Sequence, residues 1–226
     1  MNATDHPMVK TVSGAAPAQP RNVKHAGGSW VARVLLALWL VLVFVLGAAG
    51  AFARPAGQVP YPIALGVAAP LIVFLGAFWL SGAFRAYVLA IDLPLVTAVQ
   101  AWRFAGFGFL ALYAHDVLPP LFAWPAGLGD IAIGLTAPWV AFAIARRAGF
   151  AAGPLFVGWN LFGMLDLVVA VGLGALSSSL ATGAAGEVTT APMARLPLVL
   201  IPAFLVPLFL MLHLAALFQA RRLASS

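Results

Sequence analysis

Six apolar runs of about twenty residues restrict this chain to one class of fold. A helix of that length crosses a bilayer core of about 30 Å, because it rises about 1.5 Å per residue. With 63% hydrophobic and 8% charged residues among 226, and a mean hydropathy of +1.03, a soluble domain is excluded. We predict an all-α integral membrane protein, a six-helix transmembrane bundle with short loops. The predicted spans are residues 30-52, 61-80, 94-114, 127-145, 153-175 and 196-220.

The two ends of the chain lie outside the predicted bundle. Residues 1-29 are polar and rich in Ala, Pro, Gly and Asn, which predicts a disordered cytoplasmic tail. The transmembrane domain then covers residues 30-222, and 223-226 form a short C-terminal tail. The first apolar run is longer than the 7 to 15 residues typical of a signal peptide, so we expect it to be retained as a span.

The basic residues predict the orientation of the bundle. Short cytoplasmic loops carry the excess of Lys and Arg, and with the N-terminus inside only Arg54 and Arg195 fall on the outer side. We therefore predict a multi-pass protein of the cell inner (plasma) membrane with both termini cytoplasmic. Its formal charge of +6 then reflects topology and attraction to the anionic lipid bilayer, and we expect no nucleic-acid partner.

Three ionisable residues lie inside apolar runs, where a charge costs roughly 2.5 to 3.5 kcal/mol on insertion scales. They are Arg103, Asp130 and Asp166. Counted from the inner ends of their helices, the carboxylates lie roughly 6 to 9 Å outward of the Arg103 backbone, most of which an extended arginine covers. We predict one guanidinium shared between the two carboxylates, or choosing between them.

This buried charge site has two interpretations. One arginine cannot neutralise two carboxylates, so the uncompensated acid is expected to bind a proton reversibly, as in proton-coupled small-solute carriers. Alternatively, the three charges only hold three helices together.

A second polar layer is predicted towards the cytoplasmic side. Gln100, Asn160 and His213 lie at similar depth by helical rise, and they are candidates for a hydrogen-bonded polar relay. A satisfied core histidine with no relay is the structural alternative.

Proline marks two further features. Pro202 and Pro207 interrupt the sixth run, and they should kink that helix and release the carbonyls of Leu198 and Ala203. Residues 116-126 are apolar and rich in proline, which predicts an interfacial or re-entrant outer lid above Asp130, or else a tight hairpin whose prolines stop two helices. The lid residues are Pro119, Pro120, Phe122, Trp124 and Pro125.

Catalytic and cofactor chemistry lacks its usual residues. The sequence has no cysteine, no Gly-x-Ser-x-Gly elbow, no His-Glu-x-x-His and no phosphate loop. His115 and His213 lie too far apart in depth to share a haem. We expect no metal, no cofactor and no enzymatic activity.

Small residues at four-residue spacing permit close packing of helices and a possible homodimer. The pairs are Gly47 with Ala51, Ala101 with Ala105 and Ala170 with Gly174.

Four sequence blocks resemble uncharacterised bacterial multi-pass inner-membrane proteins. The blocks are Trp102 to Gly106, Leu118 to Asp130, Trp159 to Asp166, and Leu212 with His213. The resemblance implies a bacterial membrane protein and brings no activity with it. Beside a carrier of protons or a small solute, the sequence allows a non-transporting protein that binds a lipid-like or aromatic ligand or a membrane-protein partner. In that case an apolar pocket would be lined by Trp39, Trp102, Trp139 and Trp159.

Overall fold

The computed structural model describes residues 26–147 and 149–225, and that part of the chain contains helices and no strand. The α-helices are α1 Ala26–Ala48, α2 Tyr61–Leu80, α3 Gly82–Ala90, α4 Leu93–Val99, α5 Phe107–Ala114, α6 Pro120–Arg146, α7 Pro154–Leu180 and α8 Val206–Ala224. A 3-10 segment, Gln100–Gly106, joins α4 to α5, and a π-helical segment, Ile201–Leu205, leads into α8. Shorter 3-10 turns occur at Phe150–Ala152 and Ala191–Ala194.

Six of the described helical stretches are long and apolar enough to cross a membrane, which confirms the predicted helical class and the predicted number of long apolar helices. These stretches are Trp30–Ala48, Tyr61–Leu80, Leu93–Ala114, Pro120–Arg146, Pro154–Leu180 and Ile201–Ala224. Consecutive stretches run in opposite directions, so the connections gather at two ends of the bundle. We call them the Arg54 end, with connections 49–60, 115–119 and 181–200, and the Arg221 end, with α3 and the end of α8.

Several helix boundaries differ from the predicted ones. The first helix ends at Ala48, because turns follow and Gly50 has a φ of 71°, which a helix cannot continue through. The last stretch begins at Ile201 and runs to Ala224, so most of the predicted C-terminal tail is helical. Residues 26–29 of the predicted N-terminal tail belong to α1, whereas 1–25 and Ser226 lie outside the described residues.

The helix α3 was not predicted. It begins at Ser81, whose hydroxyl accepts a hydrogen bond from the backbone N–H of Phe84, and it packs against α2 and α8. Asp92 then caps α4 in the same way, through the N–H of Leu95 at 2.9 Å. Two N-caps in succession therefore turn the chain from the second span into the third.

The predicted outer lid is wrong as a separate element. Pro119 is the N-cap of α6 and Pro120 lies in its first turn, where proline is favoured because its missing N–H would have no partner. Phe122 is buried in the core, and Pro125 lies within α6. Trp124 is half-exposed and packs against Tyr113 in a tilted arrangement, with ring centroids 5.8 Å apart.

The sixth span departs from α-helical geometry at its prolines. Pro202 lies in the π-helical segment, and Pro207 lies at the start of α8. The Leu198 carbonyl, which an α-helix would pair with residue 202, instead accepts from the N–H of Ile201 at 3.0 Å. A local change of helix type thus satisfies the carbonyl that proline leaves free.

The interior of the bundle is polar at its centre, while its surface is apolar. Arg103, Gln100, Asn160 and His213 are all buried, and large apolar side chains such as Trp102 are exposed. That distribution is the reverse of a soluble domain and suits lipid around the helices.

Candidate functional site

Arg103 is the centre of the candidate site, and the 3-10 segment of the third span carries it. The chain there lies very close to α6: a Cβ added to Gly134 would stand 2.2 Å from the backbone nitrogen of Phe104. This close approach places Arg103 in the middle of the bundle, where its side chain has no exposed surface. Mid-helix 3-10 stretches often occur at functional hinges, which makes this segment a candidate moving part.

The guanidinium of Arg103 binds both predicted carboxylates. Nε donates to Oδ1 of Asp130, from α6, at 2.6 Å, and Nη2 donates to Oδ2 of Asp166, from α7. The two carboxylates are 15% and 8% exposed. The structure therefore brings together the three charges that the sequence pointed to, with one arginine shared between two acids.

Two further groups, which the sequence did not assign to this cluster, complete the environment of Arg103. Its Nη1 donates to the Gly163 carbonyl at 3.0 Å and lies 3.3 Å from Nε2 of His213, on α8. Four hydrogen-bonding contacts thus engage a group that has five N–H donors. Helices α6, α7 and α8 all meet at this one side chain.

The tautomer of His213 follows from its partners. Asn160 Nδ2 donates to the Phe156 carbonyl at 2.9 Å, so the amide oxygen of Asn160 faces His213 Nδ1, also at 2.9 Å. An amide oxygen only accepts, and Arg103 only donates. Nδ1 therefore carries the proton, and Nε2 presents its lone pair to the guanidinium.

Gln100 does not contact the hydrogen-bonded pair of Asn160 and His213, so the predicted three-residue relay is wrong for Gln100. Its amide donates to the Phe209 carbonyl at 3.3 Å, about one helical turn before His213, and its Oε1 has no partner. The 3-10 geometry aligns residues three apart, which places Gln100 one turn from Arg103 on the same face, against the backbone of α8.

Glycine makes the close approach at the site possible. A Cβ on Gly129 would lie 1.7 Å from Oδ1 of Asp166, and one on Gly163 would lie 2.5 Å from Nε2 of His213. The pattern of small residues at four-residue spacing does not include these two glycines. Their position in the sequence could have indicated them, because Gly129 directly precedes Asp130 and Gly163 precedes Asp166 by about one helical turn.

A cavity of about 150 Å³ extends from the loops at the Arg54 end to Asp130. Arg54 and Arg195 line it at the loops, and apolar side chains such as Phe109 and Leu167 line its depth. A second cavity, of about 50 Å³, contacts both Arg103 and Asp130 and is bordered by Trp102, which is 76% exposed on the bundle surface. Asp130 is thus the acid of the cluster that lines both cavities.

The predicted tryptophan pocket is wrong, because the four indoles face different surroundings. Trp39 packs on Phe204, and Trp159 donates to the hydroxyl of Thr136. Trp139 is 68% exposed, and Trp102 alone of the four borders either cavity. No group of three or more metal-ligating side chains occurs in residues 26–147 and 149–225.

The fold and the site together define a class: a polytopic helical bundle with an arginine and two aspartates at its centre. A family model described as a domain of unknown function (DUF8737) matches residues 60–221, and the chain belongs to that family. The match begins just before α2 and includes every residue of the charge cluster. Neither a curated protein nor a solved structure matches the chain.

Proposed function

We infer that this is a multi-pass membrane protein that binds a small solute beside the Arg103–Asp130–Asp166 cluster and exchanges a proton there, as a proton-coupled carrier. One observation carries this inference: Asp130 pairs with the buried arginine and also lines a cavity that extends to the Arg54 end. An acid with both properties is accessible to solute and proton from that end while remaining coupled to the centre of the bundle.

The charge balance supports proton exchange. With both acids ionised, one guanidinium and two carboxylates sum to a net charge of −1 among largely buried side chains. His213, with its lone pair directed at Arg103, adds no charge. The surplus negative charge requires a proton or a cationic solute, because isolated charges are costly at this depth.

The predicted location belongs to the same proposal. The excess of Lys and Arg at the Arg221 end favours a cytoplasmic position for both termini. The resemblance to bacterial inner-membrane proteins favours that membrane, and the apolar bundle surface supports insertion among lipids.

A non-transporting, ligand-binding protein is the second candidate. The smaller cavity favours it, since Trp102 on the exposed bundle surface borders a path to Arg103 from the side. A lipid-like ligand entering from the membrane would use that opening and need not cross the bilayer.

Uptake in proteoliposomes distinguishes the two candidates. Small amines, carboxylates and neutral alcohols are offered with and without a pH gradient, and a pH-sensitive dye reports proton movement. We expect pH-linked flux with the wild-type protein and its loss in Asp130→Asn, Asp166→Asn and Arg103→Gln. The matched controls Asp116→Asn and Arg85→Gln change exposed residues outside the cavity lining and should retain flux.

The carrier proposal is abandoned if wild-type protein gives no pH-linked flux with any of these solutes and the cluster variants change only the folding yield. Binding of a ligand without flux would then favour the second candidate.

A further inference from the structure

The larger cavity has arginines at its mouth and a carboxylate in its depth, and this arrangement of charge selects among solutes. Asp130 lies ten residues into α6 from Pro120, which corresponds to a depth of about 15 Å along the helix. The other charged side chains that line the cavity, Arg54 and Arg195, belong to the loops at its mouth. A solute that reaches the inner part of the cavity therefore meets a carboxylate there.

Asp130 retains an available acceptor. Arg103 binds Oδ1, and Oδ2 receives no hydrogen bond from any residue in the described part of the chain. The side chain is 15% exposed, and Oδ2 is not among the fully buried polar atoms that lack a partner, so it retains some accessible surface. An acceptor of this kind in an apolar cavity binds an N–H donor best, and a cationic donor more strongly than a neutral one.

The inner wall suits an apolar body attached to that donor. Phe109 and Phe122 line the cavity as an edge-to-face pair with centroids 5.3 Å apart, and Leu167 and Val206 lie beside them. Aromatic faces also attract cations. A volume of about 150 Å³ matches that of an apolar cavity known to bind benzene, so the cavity accommodates a solute with one aromatic ring.

We propose that this cavity binds a small hydrophobic amine as its ammonium ion, with the charged nitrogen on Oδ2 of Asp130 and the apolar body against Phe109 and Phe122. The inference rests on the proposed solute site and specifies the class of its solute. The ammonium replaces the proton as the partner of the surplus carboxylate, so amine and proton compete.

Every charged or titratable group near Asp130 enters this balance. Arg103 approaches from the 3-10 segment, Asp166 from α7, and His213 from α8 on the far side of the guanidinium. Their formal charges with Asp130 sum to −1, which a monocation neutralises. The two mouth arginines repel additional positive charge, so they favour a single-charged amine over a polyamine.

Three probes that share a phenyl ring test the proposal by calorimetry on the purified full-length protein. They are phenethylamine, 2-phenylethanol and 3-phenylpropionate, which differ in the charge of one end. We expect the amine to bind about tenfold or more tightly than the alcohol, since an ionic hydrogen bond is stronger than a neutral one. Its affinity should rise as the pH increases, because fewer protons compete for the carboxylate.

Variants locate the binding. Asp130→Asn should reduce amine affinity to that of the alcohol, and the control Asp116→Asn, at an exposed loop acid, should not. Arg195→Gln at the mouth should tighten amine binding. The comparison of three probes needs only wild-type protein, so it tests the preference for an amine even if Asp130→Asn fails to fold.

Tighter binding of 3-phenylpropionate than of the amine overturns the proposal, and so does equal binding of amine and alcohol. Amine binding without pH-linked flux refutes the carrier and leaves the solute class intact. pH-linked flux of a carboxylate solute supports the carrier and refutes the amine as its solute. The failure of one proposal is therefore distinguishable from the failure of the other.

Discussion

At the scale of single residues, the molecule is organised around one arginine whose donors are nearly all engaged. Nε and Nη2 of Arg103 each bind one of the two carboxylates. Its Nη1 is shared between the Gly163 carbonyl and His213. Removing one partner from a buried ion pair typically costs about 3 to 5 kcal/mol, because the remaining charge is left uncompensated. The cluster is therefore a structural element as well as the proposed binding site.

The close packing of Gly129 against Asp166 predicts the effect of adding one methyl group at position 129. In Gly129→Ala, the added Cβ would stand 1.7 Å from Oδ1 of Asp166, so this carboxylate must leave the position in which it binds Arg103. We expect a loss of about 1 to 3 kcal/mol of stability, measured as a lower Tm of the purified protein. The control Gly158→Ala, on α7, has no atom within 4 Å of its new Cβ and should leave Tm unchanged or raise it. Equal Tm values for the two variants would contradict the observed packing.

The hydrogen-bond chain predicts the protonation state of one imidazole. Nitrogen-15 NMR of labelled protein should show His213 as the neutral Nδ1–H tautomer at neutral pH, because Asn160 accepts from Nδ1 and Arg103 donates to Nε2. Asn160→Ala removes the acceptor at Nδ1 but leaves the donor Arg103 at Nε2, so it should weaken this preference without reversing it. His115, which is exposed, provides the internal reference. An imidazolium or an Nε2–H signal for His213 would refute the assignment.

At the scale of elements, the third and sixth spans both leave α-helical geometry near the site. The 3-10 segment presents Arg103, and the π-helical segment contributes Ile201 and Leu205 to the small cavity beside it. The loop from Ala181 to Thr190 ends at the mouth of the larger cavity, where Thr189 and Thr190 line it. Irregular backbone is thus concentrated along the proposed solute path.

The loop at the mouth should depend on pH through Glu187. Its carboxylate accepts from the backbone N–H and hydroxyl of Thr182 and from the N–H of Gly183 at 2.8 Å. The hydrogen bonds from Thr182 hold the pKa of Glu187 below its ordinary value of 4.5. The stabilisation of the loop by these hydrogen bonds is therefore complete above pH 4.5. It is lost as the pH falls through the lower pKa that Glu187 has in the folded loop.

Hydrogen exchange measures this dependence. Protection factors of the Thr182 and Gly183 amides, corrected for intrinsic rates, should fall on acidification below that value in the wild-type protein. Glu187→Gln should show weaker protection at neutral pH and no such acid transition. A transition of the same size in the variant would assign the effect to another group.

At the scale of the whole molecule, six antiparallel helical stretches separate two ends with different charge. The Arg221 end carries more basic residues than the Arg54 end. The apolar surface and polar centre suit a lipid environment, in which the buried charges must find their partners within the bundle.

Topology is testable because the chain contains no cysteine. Single substitutions Ala184→Cys, at the Arg54 end, and Ser225→Cys, at the Arg221 end, introduce unique thiols at exposed positions. A membrane-impermeant maleimide should label Ala184→Cys in intact cells and Ser225→Cys only after permeabilisation. The opposite pattern would reverse the proposed orientation.

The helical class, the six long apolar stretches and the three charges that must be satisfied inside them are all predictable from the amino-acid sequence. Hydropathy and helical rise are local properties, so they yield the number of stretches and the approximate depth of Arg103, Asp130 and Asp166. Three outcomes follow from the packing of the helices instead: one guanidinium contacts both acids and His213, Gln100 does not join them, and a cavity reaches Asp130. Those outcomes depend on helix rotation, on the 3-10 turn and on close approach at glycines such as Gly129, all of which packing between distant segments determines.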